Sequence, residues 1–180
     1  NKHLGKNVKK FFVKKFNSPT IIKKRYIDQF NNTKLFGIYN FNDLSISKKN
    51  ELDILNFYNK KIKKNDLVMV TDYGHGLITK KIANQINRNK KFTSLNVQLN
   101  AANMSYHSID KYKNANLLVV NERELRHDVR DRDSNINKIM LKVSRDKNFQ
   151  LILVTRGADG LLLYDKKTKK FYECAAFASN

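Results

Sequence analysis

The sequence predicts an α/β protein: a doubly wound, mostly parallel sheet with helices on both faces, plus a small β-strand pair near the N-terminus. Three observations predict it. The short, nearly continuous apolar run Asp66 to Thr71 (DLVMVT) reads as a strand of the kind buried on both faces, and Asn116 to Val120 (NLLVV) and Gln150 to Val154 (QLILV) read as further strands. Stretches of helical period separate them. Strand-helix-strand alternation then implies parallel pairing through helical crossovers.

The elements follow in order. Residues Asn1 to Phe16 mix Val8, Phe11, Phe12, Val13 and Phe16 with lysines, and a short helix or an exposed strand both fit. Asn17-Ser18-Pro19 punctuates the chain. Thr20 to Tyr26 and Lys34 to Asn40 are rich in β-branched and aromatic residues, with Asn31-Asn32 as the turn between them. Ser47 to Lys63 is an amphipathic helix, its apolar stripe set by Leu52, Leu55, Tyr58 or Phe57, and Ile62. After the DLVMVT strand, Thr79 is placed to cap a helix carrying Ile82 and Ile86. Phe92 to Val97 is the next strand, followed by NLLVV and helices over Glu122 to Val129 and Ser134 to Ser144. QLILV leads to two further strands, Gly160 to Tyr164 and Lys170 to Cys174, joined by a charged turn at Asp165-Lys166-Lys167.

Composition limits the function classes. Hydrophobic residues at 41% and aromatics at 11% suit a globular domain rather than a disordered chain. No apolar run approaches the ~20 residues that span a bilayer, and no signal-peptide pattern opens the sequence. A single cysteine, Cys174, excludes an internal disulfide and suits a reducing compartment, so a cytoplasmic location is expected. Lys and Arg number 36 against 16 Asp and Glu, a net charge of +20. Such a field attracts polyanions, and nucleic acid is one such partner. The lysine clusters are spread along the whole chain, and the aromatics read as core rather than as a stacking platform, so phosphate-bearing ligands are the preferred reading.

Chemistry is expected in the crevice outside the carboxyl ends of the strands. Asp72-Tyr73-Gly74-His75-Gly76 follows DLVMVT, with glycines that permit a tight turn and close backbone approach. Asn121 and Glu124 follow NLLVV. They form either a capping box or a pair pointing into the crevice, where a carboxylate can hold hydrated magnesium. Thr155-Arg156-Gly157-Ala158-Asp159-Gly160 follows QLILV and offers a hydroxyl, exposed N–H groups and small residues that suit phosphate oxygens. Asn96, Gln98, Asn100 and Asn103 form an amide cluster, read either as sugar or phosphate contacts or as a solvated loop.

In this order, the motifs resemble those of the PfkB (ribokinase-like) carbohydrate kinases, most nearly the branch acting on heptose 7-phosphate. Pro19-Thr20 with Lys23 and Arg25 resembles that branch's Pro-Thr-x-x-Lys-x-Arg strand. Residues Asp72 to Gly76 resemble its Asp-Tyr-Gly-Lys-Gly, with His75 in place of lysine, and Asn121-x-x-Glu124 matches Asn-x-x-Glu. Val154 to Gly160 resembles Val-Thr-x-Gly-x-x-Gly. The resemblance implies ATP and Mg²⁺ as cofactors. It implies nucleotide-phosphate contacts at Asn121, Glu124, Thr155, Gly157 and Gly160, with Asn121 and Glu124 arranging the metal through water. Asp72, Gly74, Asn96 and Gln98 are the implied substrate-side candidates.

The Asp-Pro-Lys stretch of the heptose branch is replaced by Asn96-Val97-Gln98, and the Gly-Ala-Gly-Asp signature, whose Asp acts as base in the family, does not occur. No catalytic residue is therefore assigned. The chain is expected to be part of a longer kinase domain, with 19–45 as a lid or a homodimer clasp and 46–180 as the nucleotide-side core. A basic nucleic-acid-binding protein and a non-catalytic kinase-like scaffold are the alternatives.

Overall fold

A computed structural model describes residues 5–99 and 107–177. A two-stranded antiparallel ribbon, β1 (Ile22–Ile27) and β2 (Lys34–Asn40), precedes α1 (Lys48–Ile62). Then come β3 (Leu67–Asp72), α2 (Lys80–Asn87), β4 (Phe92–Val97), β5 (Leu117–Asn121), α3 (Glu122–Val129) and α4 (Ile136–Lys147). The described chain closes with β6 (Leu151–Thr155), β7 (Leu161–Asp165) and β8 (Lys170–Cys174).

Local chemistry sets the boundaries. Asn32 takes a left-handed φ of 56° in the ribbon turn, where the Asn31 Oδ1 accepts from the Thr33 N–H at 2.9 Å. Ser47 and Thr79 cap α1 and α2 by accepting from the amides of Asn50 and Ile82. Helix α4 runs past the expected Ser144 to Lys147 and stops where Asn148 adopts φ 57°. Its buried Ser144 Oγ donates to the Phe149 carbonyl at 2.8 Å, fastening that turn to the core. The described part of the N-terminal segment is neither helix nor strand. It lies along α1, held by stacking of Phe11 on Phe57 at 4.3 Å.

The six strands stand in chain order, β3-β4-β5-β6-β7-β8. The first four are mutually parallel, and the last three pair antiparallel. Val70, Leu95, Leu118, Ile152 and Tyr164 run in register across the sheet, and all are buried. Against this row lie Ile82, Ala83 and Ile86 of α2, Leu125 of α3, and Ile139, Met140 and Val143 of α4 in one core, with Tyr112 and Phe149 fully enclosed.

The expected helices on both faces are met on one face only among the described residues. Right-handed crossovers between strands that advance in one direction put every connecting helix on the same side. The other face is therefore open. Leu67 and Phe92 are exposed, Met69 is 69% exposed, and Leu117, Val119, Leu151 and Leu153 are half-buried. The DLVMVT run, apolar on both sides, turns only Val68 and Val70 toward the helices, with Asp72 following them on the same face.

Candidate functional site

Because β3 to β6 are parallel, their carboxyl ends share one rim, and each expected motif begins there. Asn121 ends β5 and faces Thr155 at the end of β6 in register. The Asn121 Nδ2 donates to the Thr155 carbonyl at 3.1 Å, tying the two motifs together. The Asn121 Oδ1 accepts from the Arg123 N–H at 3.0 Å, and the Glu124 Oε2 accepts from the Asn121 N–H at 3.1 Å. The capping box is thus real. It holds both side chains at the strand end, the Glu124 carboxylate turned back on the Asn121 amide. Burial raises the Glu124 pKa, against which backbone N–H groups of Asn121 and Leu99 act. A half-buried carboxylate with only amide donors fits a cation held directly or through water.

Beside it opens a cavity of about 630 Å³ lined by Asn121, Arg123, Arg126, Arg156 and the Gly157–Asp159 turn. Its cations are organised by Glu122, which sequence reasoning passed over. The Glu122 Oε1 accepts from Arg126 Nε at 2.8 Å, and its Oε2 from Arg156 Nε at 3.0 Å. These guanidinium groups hold the Glu122 carboxyl below its ordinary range although burial pushes it up. Arg126 is further used by the carbonyls of Arg132 and Ser134. Arg156, bonded to Glu122 through Nε, lines the cavity with its guanidinium group, a planar fork of the kind that meets phosphate oxygens. Gly157 sits at φ 60° with open space around its α-carbon. The i,i+4 spacing of Glu122 and Arg126 was a readable signal; the reach from Glu122 to Arg156 was not.

Asp72 lines a small cleft at the end of β3 and is tied into a buried cluster. It is 3% exposed on the helix-covered face of β3. Its Oδ2 accepts from the Tyr112 hydroxyl and the Lys111 ammonium, each at 2.6 Å, and its Oδ1 accepts from the Gly74 N–H at 3.0 Å. Burial raises the carboxyl's pKa, yet the Lys111 and Tyr112 bonds outweigh this and hold it below the usual range. His107 packs on the same group, its Nε2 lying 3.2 Å from the Asp72 carbonyl, and burial lowers its pKa. Lys111, Tyr112 and His107 carried no recognisable motif.

Gly74 and Gly76 take φ of 69° and 79°, and the Gly76 carbonyl accepts from the Ile46 N–H at 3.1 Å, so the turn lies under the 43–46 segment. The Asn96 Nδ2 reaches the Val119 carbonyl at 3.5 Å on the open face. Gln98 is exposed, its backbone N–H bonded to the Asp72 carbonyl at 2.9 Å. Asn100 and Asn103 lie outside the described residues. Among the described residues no helix is long and apolar enough to cross a membrane, and no group of three or more His, Cys, Asp and Glu is arranged to hold a metal.

Solved structures share this architecture. Ribokinase from Giardia lamblia superposes with a TM-score of 0.63 at 12% identity, over 91% of this chain and 51% of its own. Arabidopsis thaliana ribokinase, solved with ribose and ATP, gives 0.59 at 16% identity over 89% and 50%. The fold, with the order of motifs on its rim, is that of the ribokinase-like (PfkB) carbohydrate kinases. In sequence the relatives are bifunctional HldE proteins. That of Sulfurimonas denitrificans is 30% identical over 130 residues, 70% of this chain and 26% of the relative. That of Nitratiruptor is 24% identical over 165 residues, 90% of this chain and 34% of the relative. The chain thus spans about a quarter to a third of the length of these curated relatives. No family model matches the sequence.

Proposed function

We propose that this chain carries the nucleotide-phosphate and magnesium side of an ATP-dependent phosphotransfer to a hydroxyl of a sugar or sugar phosphate, in a cytoplasmic protein. The observation that carries the reading is the cavity where Asn121, Glu122, Arg156 and the Gly157 turn meet at the joined ends of β5 and β6. Such catalysis rests on positioning and on neutralising the charge of the transferred group. Arg156 and Arg123 supply positive charge, the Gly157 turn supplies close backbone approach, and Thr155 supplies a hydroxyl. Glu124, with Asn121, is the metal-organising group; bound magnesium would neutralise phosphate charge there. Heptose 7-phosphate is the acceptor favoured by the resemblance and by the HldE relatives. By the same resemblance the proton-abstracting Asp belongs to a signature this sequence lacks, so the 180-residue chain is expected to bind nucleotide without turning over.

Titration of the chain with a fluorescent ATP analogue tests this. Binding is expected to need Mg²⁺ and to weaken about tenfold in Arg156→Ala, the loss of a charge-assisted contact. Absence of binding at millimolar analogue, or affinity unchanged by Arg156→Ala, rejects the reading.

The ribbon is read as a homodimer clasp. Ile22, Tyr26, Ile27, Leu35, Phe36 and Ile38 are all exposed on β1 and β2, more apolar surface than a free two-stranded ribbon keeps in water. Sedimentation equilibrium is expected to show a dimer that Ile27→Lys with Phe36→Lys converts to monomer. A wild-type monomer at tens of micromolar refutes the clasp.

A further inference from the structure

Helices α1 and α2 both end at the amino edge of the sheet, opposite the rim that carries the sequence motifs. Ile62 of α1 leads to Leu67 of β3 and Asn87 of α2 leads to Phe92 of β4, and Leu67 and Phe92 are partners in a parallel register. The loops 63–66 and 88–91 therefore lie side by side. Both are pinned by local bonds. The Asn65 Nδ2 donates to the Lys61 carbonyl at 2.7 Å, and the Asn89 Oδ1 accepts from the Lys91 N–H at 2.6 Å. The Gln85 Nε2 donates to the Asn59 Oδ1 at 2.9 Å, joining the two helices.

Two clefts lie on adjoining faces of α1 at this end: Phe57 and Lys61 line one, Tyr58 and Ile62 the other. The first, about 440 Å³, takes Lys9 from the N-terminal segment with Lys61, Lys64 and the amides of Asn7 and Asn65. The second, about 230 Å³, is lined by Lys63, Arg88, Lys90 and Lys91 with the amides of Gln85 and Asn89. Neither is lined by a carboxylate, and among the described residues none of these seven cations is in an ion pair. Helix dipoles do not account for them. Two helix C-termini present about half a negative charge each, and exposed Asp66 adds one more, which the cations exceed about threefold. Phe11 stacks on Phe57 at 4.3 Å with the rings 8° apart, and the Lys61 ammonium stands 5.7 Å from the Phe57 centroid. Phe11 remains 41% exposed, so an aromatic face borders the cations instead of entering the core.

We propose that this end of the molecule binds single-stranded nucleic acid, independently of the phosphotransfer reading. Backbone phosphates follow the cations of the two clefts, the side-chain amides donate to phosphate or base oxygens, and Phe11 takes a stacked base. The geometry favours a flexible strand. Concave clefts on adjoining helix faces admit a strand that bends round the end of α1, whereas a rigid duplex or a flat bilayer meets only the ridge between them. Six of the seven cations are lysines, which act as point charges, so binding is strong in charge and weak in sequence preference.

Fluorescence anisotropy of the chain with a labelled oligouridylate of about 12 nucleotides, over a range of NaCl, tests this. With about four phosphates engaged, the slope of log K against log[salt] is expected near −3, a weakening of about fiftyfold between about 50 and 200 mM. Lys63, Lys64, Arg88 and Lys90 are all exposed, and replacing the four together with Gln should cost at least about tenfold in affinity and flatten the slope. Replacing Lys24, Lys34, Lys138 and Lys142, equally exposed on the ribbon and α4, removes the same charge and should cost no more than about threefold. Melting temperatures within about 2 °C of the parent report both variants folded. Phe11→Ala should weaken binding about tenfold without changing the slope. Saturating ATP should leave the strand bound. No binding by the parent at tens of micromolar, equal losses in the two quadruple variants, or displacement by ATP each overturn the proposal. So does a duplex of the same length bound as tightly, or binding to phosphatidylserine vesicles without binding to oligouridylate.

Discussion

Replacing Asp72 with alanine is expected to cost the fold about 3 kcal/mol or more, because it breaks a buried ion pair by removing one partner. Asp72 is 3% exposed, and its carboxylate answers Lys111, Tyr112 and the Gly74 amide together. Without it the Tyr112 hydroxyl, whose residue is fully enclosed, loses its acceptor. The Lys111 ammonium keeps the Ile78 carbonyl, at 3.0 Å, and the Tyr112 ring face but loses its counter-charge. Lys111 is 20% exposed at its side chain, so part of its charge can be recovered by water, which places the loss at the lower end for such pairs. Urea denaturation measures it. The double variant Asp72→Ala with Lys111→Met is expected to recover part of the deficit, since the orphaned charge is gone. A single variant as stable as the parent shows that the pair is not closed in solution.

The same group sets a pH dependence with a definite sign. The folded carboxyl titrates below the ordinary value, so the folded state holds the proton less tightly than the unfolded chain. Its contribution is complete above the unfolded pKa of about 3.9 and is lost as pH falls through the lowered folded value. Asp72→Asn removes this component. Its stability should therefore fall less steeply than the parent's between about pH 4 and the acid limit.

How far the sequence reveals this molecule depends on the range of the interaction. Apolar runs and caps are local, and Phe92–Val97, Glu122–Val129 and Lys170–Cys174 form with the bounds that periodicity and capping predict. The one-sided placement of helices is not local: it follows from strand order, and DLVMVT reads the same whether one face is covered or two. The Asn121–Glu124 pair was legible as two options because its capping geometry and its rim position use the same atoms. Glu122 with Arg156 and Asp72 with Lys111 join residues 34 and 39 positions apart, and no spacing rule connects them.

The two glycines of the phosphate-like loop, equivalent in the motif, are expected to separate on substitution by alanine. Gly160 has φ 78° and ψ −129°, a region that residues with a β-carbon avoid. A Cβ there would stand 2.0 Å from the Cys174 carbonyl oxygen and 2.8 Å from backbone atoms of Ala175 and Ala176. These atoms cannot yield cheaply. Leu161 pairs with Cys174 in the β7–β8 ladder, and the Gly160 carbonyl accepts from the Arg156 N–H at 2.8 Å. Strain and collision together predict a loss of about 3 kcal/mol or more for Gly160→Ala, with ATP-analogue binding falling alongside stability. Gly157, at φ 60°, has nothing within 4 Å of the position a Cβ would take. Gly157→Ala should therefore cost the fold only about 1 kcal/mol of backbone strain. Its methyl group would project at the mouth of the cavity, so analogue affinity should drop while the melting curve barely moves. Thermal melts and analogue titrations on the two variants decide the matter. A Gly160→Ala chain that melts within about 2 °C of the parent contradicts the close approach to Cys174. Unchanged analogue binding in Gly157→Ala removes that residue from the phosphate site.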